Sequence, residues 1–86
     1  MVDASVISSE TILARLQDVF RAELDDEALT IGPDMAQKNL KAWDSLAHIR
    51  LVSGIESEFD IQLSLAEIEQ TTSVGQFVRL IQERAR

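Results

Sequence analysis

Asp44, Ser45 and His48 place a carboxylate, a hydroxyl and an imidazole within five positions of one another, and two chemistries use such a triplet. In the first, His48 serves as base to a nucleophilic Ser45, since residues three apart share a face of a helix. That chemistry also requires an oxyanion hole, an acid on the far side of the imidazole and a pocket that excludes water. A short chain presenting the triplet on an exposed helix end supplies none of these, and the expectation is that the protein is not an enzyme. In the second, the serine is a site of modification. Asp44 is a good N-cap, whose carboxylate accepts from free N–H groups of the first turn, worth about 1 kcal/mol over Ala. Ser45 then falls at the first helical position with its hydroxyl outward, beside the positive end of the helix dipole, where an attached phosphate is favoured.

The elements that must position Ser45 emerge from hydrophobic periodicity. Residues 1–8 read as a tail, in which Val6 and Ile7 can pack on the adjoining helix, and Ser8 or Ser9 can cap that helix, which runs from Glu10 to about Leu24. Its apolar residues Ile12, Leu13, Leu16, Val19, Phe20 and Leu24 recur at helical spacing. Residues 25–43 read as a long loop broken at Gly32-Pro33 and pinned by the spaced residues Leu29, Ile31, Met35, Leu40 and Trp43. A helical turn is expected near Met35 to Asn39, and a brief strand at Leu29-Thr30-Ile31 has no evident partner.

The second helix spans Ser45 to about Phe59. Leu46, Ile49, Val52, Ile55 and Phe59 form its inward stripe, widened by Leu51, and Ala47, His48, Arg50, Ser53, Glu56 and Ser57 its outer face. Gly54 marks either close approach of a neighbour or a tolerated glycine. After a tucked connection at Asp60-Ile61-Gln62-Leu63, a capping box of Ser64 and Glu67 opens a short third helix ending near Glu69 or Gln70. A second box, Ser73 and Gln76, opens a last helix with Val74, Phe77, Val78, Leu80 and Ile81 inward. Arg79, Arg84 and Arg86 lie where cations favour a helix C-terminus. The fold class expected is all-α, a small four-helix bundle of three longer helices and one short one, forming a single domain over residues 1–86.

Composition narrows the function. At 86 residues there is room for one core and no deep cleft. There is no Cys and only one His, so neither a thiolate zinc site nor a histidine metal cluster can form. Fifteen acidic residues against eight basic ones give a net charge of −7, which repels nucleic acid and anionic membrane and suits partners with basic faces. Neither Asp25-Asp26 nor Glu56, Glu58 and Asp60 has the spacing of a calcium loop; they are solvated charges, or, for Glu56, part of a docking face. The N-terminus lacks a basic flank and a long apolar run, so a soluble cytoplasmic protein, monomeric and not bound to membrane, is expected.

Asp44-Ser45-Leu46, followed by the helical apolar residues Ile49, Leu51, Val52 and Ile55 and then by Glu56-Ser57-Glu58-Phe59-Asp60-Ile61, resembles the acyl carrier protein family. The resemblance extends over roughly residues 9–84 to the order of elements, ending with a helix entered at Thr72-Ser73-Val74. It implies that Ser45 carries 4′-phosphopantetheine, taken from coenzyme A, and that Asp44 helps present it to the basic face of a phosphopantetheinyl transferase. The arm supplies the thiol that a chain without Cys lacks, holding an acyl or aminoacyl group as a thioester for partner enzymes. The implied partners are that transferase, a loading ligase and a downstream transferase or synthase, docking at Leu46, Ala47, His48, Arg50 and Glu56.

Carriers of fatty acid synthesis generally have an acidic second helix just after the serine, whereas Ala47, His48 and Arg50 stand here. Rim charge of the other sign changes partner choice, so a specialised carrier is expected, for polyketide, nonribosomal peptide, aminoacyl or another dedicated acyl pathway. Trp43 reads as a loop anchor. Leu51, Val52, Ile55, Ile68 and Phe77 line a cargo cavity or are ordinary core. The alternative from another class is an unmodified helical docking module with the same fold.

Overall fold

Ser8 has an extended backbone and accepts a hydrogen bond from the Thr11 amide through its hydroxyl, which starts α1 (Ser9–Glu23). A computed structural model describes residues 8–84; Val6, Ile7 and Arg86 lie outside the described residues. The remaining helices are α2 (Ser45–Phe59), α3 (Leu65–Gln70) and α4 (Val74–Arg84), with a single 3-10 turn at Gln37–Asn39 in the loop before α2. The bundle is all-α among the described residues, which contain one isolated bridge, Ala36 to Ser73, and no strand at residues 29–31. No helix among them is long and apolar enough to cross a membrane.

α1 is the central element, burying Ile12, Leu16, Val19 and Phe20 against α2 and α4. It runs antiparallel to α2: Arg15 meets Glu58, and Val19 and Glu23 meet Gly54. A Cβ on Gly54 would lie 2.9 Å from Val19 Cγ1 and 3.3 Å from Glu23 Cγ, so Gly54 marks a close approach of the two helices. At the far end, Arg15 pairs with the Glu58 carboxylate at 2.9 Å, donates to the Glu58 carbonyl at 2.6 Å and lies over the Phe59 ring. α2 stops at Asp60, whose left-handed φ of 53° an Asp tolerates better than most residues.

The long loop is held by hydrogen bonds as well as by apolar anchors. Gln17 accepts from the Ile31 amide at 3.0 Å, and Arg21 donates to the Leu29 carbonyl at 2.6 Å. Further on, the Pro33 and Met35 carbonyls accept from the Gly75 and Val74 amides at 3.0 and 2.9 Å, so the loop backbone caps α4. Of the five expected anchors Ile31 and Trp43 are buried, while Leu29, Met35 and Leu40 pack against the core half-covered.

Candidate modification and docking site

Ser45 is exposed and is the first residue of α2. Asp44 has the extended backbone of an N-cap, and its Oδ1 accepts from the Ala47 amide at 2.8 Å while its carbonyl takes the His48 amide. Among the described residues the Ser45 and Leu46 amides have no partner, so the serine hydroxyl stands next to two free N–H donors at the positive end of a 15-residue helix. That donor set fits a phosphodiester on Ser45.

Trp43, immediately before the cap, is 1% exposed and fixes where the helix begins. Its ring stands edge-on to Phe20 of α1, with centroids 5.0 Å apart, and is stacked with Phe77 of α4 at 6.3 Å. The indole N–H donates to His48 Nδ1 at 3.0 Å, and His48 Nε2 lies 2.8 Å from the carbonyl of Ile68 in α3. An indole N–H only donates, so Nδ1 is the acceptor and the ring proton of neutral His48 sits on Nε2, facing Ile68. Both imidazole nitrogens are therefore occupied away from Ser45, and His48 is not a base for the serine.

This geometry corrects the expected faces of α2. Ala47 is fully buried and His48 is 7% exposed, whereas Leu46 and Ile49 are 67% and 57% exposed. The inward face is Ala47, His48, Leu51, Val52, Ile55 and Phe59. Leu51, Val52, Ile55 and Phe59 extrapolate back by three and four residues to positions 47 and 48, where a small residue and a polar one hide the stripe. Ala47 and His48 thus offer no docking surface. Glu56 is also engaged, since its half-buried carboxylate accepts from the Leu63 amide at 2.9 Å and closes the connection into α3.

Arg50 is exposed as expected and forms no ion pair among the described residues; Leu46, expected both on the inward stripe and among the docking residues, stands exposed beside it. Ile49 joins them. So does Leu65, 70% exposed at the start of α3, which its position beside the Ser64–Glu67 capping box (2.9 and 3.2 Å) turns outward. Neither was expected on this surface; an apolar residue at the first position of a short capped helix was the available signal for Leu65. Leu51, Ile55 and Phe77 are fully buried core residues.

The site is thus an exposed, capped serine at a helix start with exposed apolar residues beside it and His48 turned away from it. The comparisons with known proteins agree. The family described as "Phosphopantetheine attachment site" matches residues 10–81. The chain is 29% identical over 75 residues to an acyl carrier protein of Cyanidioschyzon merolae, covering 87% of this chain and 82% of that one. It is likewise 29% identical over 76 residues to an acyl carrier protein of a Picosynechococcus species, covering 88% and 94%. The solution structure of a holo acyl carrier protein from Geobacter metallireducens superposes with a TM-score of 0.77 at 28% identity, covering 84% of this chain and 83% of that one. The chain belongs to the acyl carrier protein family: it is a carrier with covalently attached 4′-phosphopantetheine and not a catalyst.

Proposed function

We propose that Ser45 is the attachment residue, and that the chain presents an acyl or aminoacyl thioester to partner enzymes of a specialised pathway through Leu46, Ile49 and Arg50 of α2 and Leu65 of α3. The observation that carries the assignment is the exposed Ser45 hydroxyl at a helix start capped by Asp44. In the transfer from coenzyme A, Ser45 Oγ attacks the phosphorus that bears the pantetheine. The Oγ–P bond forms, the P–O bond to 3′-phosphoadenosine 5′-phosphate breaks, and the serine proton passes to a base on the transferase. Asp44, whose Oδ1 accepts from the Ala47 amide, offers its remaining oxygen to a basic transferase face.

When bound, 4′-phosphopantetheine supplies a terminal thiol that holds cargo as a thioester. The Ser45 and Leu46 amides lie beside the phosphodiester position, while the exposed leucines and Ile49 give a partner apolar area to cover. The exposed residues of the first turns of α2 carry no acid, and the charge there is that of Arg50. This supports a loading ligase and a downstream synthase that place an acidic or neutral rim opposite Arg50, in place of a basic one.

Tryptic mapping after incubation with coenzyme A and a broad-specificity phosphopantetheinyl transferase tests the site. Cleavage after Lys41 and Arg50 releases Ala42-Trp43-Asp44-Ser45-Leu46-Ala47-His48-Ile49-Arg50, whose only hydroxyl side chain is that of Ser45. The phosphopantetheinyl increment is expected on that peptide; an increment on any other would refute the assignment.

A further inference from the structure

His48 is the one buried polar side chain of α2, one turn beyond Ser45 on the side that faces α3. The imidazole bridges to α3 and rests beside Phe77, so a group tethered at Ser45 that entered the apolar interior between α2 and α3 would have to pass it. The ring is held at both edges, by the Trp43 indole at 3.0 Å and the Ile68 carbonyl at 2.8 Å. Its centroid lies 6.0 Å from that of Trp43 and 5.9 Å from that of Phe77. The bond to Ile68 is the one hydrogen bond joining α2 to α3 among the described residues, and α3 itself has no buried residue. Ile68 itself packs half-buried against the core, so the imidazole meets α3 at the residue that seats that helix. Displacing the ring would leave the buried Trp43 indole N–H and the part-buried Ile68 carbonyl without their partner, a penalty that a cargo with little apolar surface cannot offset.

We propose that the Trp43–His48–Ile68 hydrogen-bond chain shuts the seam between α2 and α3, so that this carrier keeps its cargo outside the bundle and serves short or polar acyl and aminoacyl groups rather than long alkyl chains. The inference rests on Ser45 as the attachment residue.

The test loads the full chain with pantetheine or octanoyl-pantetheine, using the broad-specificity transferase with coenzyme A or octanoyl-coenzyme A, and compares methyl NMR spectra of the two forms. In the wild type, the Leu51, Val52 and Ile55 methyl resonances are expected to coincide, and hydroxylamine to cleave the octanoyl thioester as fast as in free octanoyl-pantetheine. In His48→Ala the same methyls are expected to shift on octanoylation and cleavage to slow. If His48→Ala does not fold, His48→Asn replaces it, keeping an acceptor for Trp43 and giving up the donor to Ile68. Shifted core methyls in octanoylated wild type would overturn the closed seam, as would unchanged ones in a folded His48 variant. An octanoyl-pantetheinyl increment that persists in Ser45→Ala, or none on the wild type, would instead overturn the attachment reading and with it the cargo assignment.

Discussion

His48 illustrates how much a single side chain can fix. Its tautomer is set by the indole donor, and the proton on Nε2 is what reaches Ile68. Long-range nitrogen–proton NMR spectra at neutral pH are expected to show the Nε2–H form; an Nδ1–H pattern would mean that Trp43 does not donate to it. Trp43→Phe keeps most of the packing among Phe20, Phe77 and His48 but leaves Nδ1 buried and unpaired, a loss of about 1–3 kcal/mol readable from urea unfolding. A stability equal to wild type would show that the bond contributes nothing. Arg50, by contrast, is exposed and unpaired among the described residues, so Arg50→Glu should leave unfolding unchanged within about 0.5 kcal/mol. The same change should raise the KM of the cognate loading ligase, and unchanged loading kinetics would remove the argument from rim charge for a specialised partner.

Close approach is the main constraint on the helices themselves. Gly54→Ala gains about 1 kcal/mol of helix propensity, but its methyl would meet Val19 Cγ1 at 2.9 Å. Valine is stiff at χ1 in a helix, and such overpacking costs about 1–3 kcal/mol, so the net change is a loss of about 1 kcal/mol. In Gly75→Ala the new Cβ would fall 2.9 Å from the Pro33 carbonyl oxygen. That neighbour is backbone and itself accepts from the Gly75 amide; a larger loss, about 2 kcal/mol, is expected. Thermal or urea unfolding ranks the two, and an increase in stability for either would contradict the packing described.

The extent of each helix was legible in the sequence, because caps are local. Ser8, Asp44 and Ser64 each sit within three residues of the amide they bind, and α2 spans Ser45–Phe59 as its periodicity indicates. Its rotation was not legible. His48 counts as polar until its partners, five and twenty residues away, are known, so Leu46 and Ile49 read as core when they are surface.

For the whole molecule, the sequence indicated most of the core, apart from the first turns of α2, and the location of the serine, but not the path of the loop between α1 and α2. That path depends on backbone carbonyls of Pro33, Met35 and Thr72 meeting amides of the opposite segment, and backbone groups carry no signature of their partners in the side chains. The net charge of −7 acts over a longer range than any of these contacts. It favours encounter with a basic transferase surface, so the KM for the apo protein should rise with ionic strength; a KM independent of salt would show that steering is not electrostatic.

The most direct measurement is the intact mass of the protein after incubation with coenzyme A and several phosphopantetheinyl transferases, for wild type and for Ser45→Ala with its helical circular dichroism checked. A single phosphopantetheinyl increment on the wild type and none on the variant is the predicted result. An equal increment on both would move the attachment to another residue, and no increment on a folded wild type would leave an unmodified module that works by docking alone.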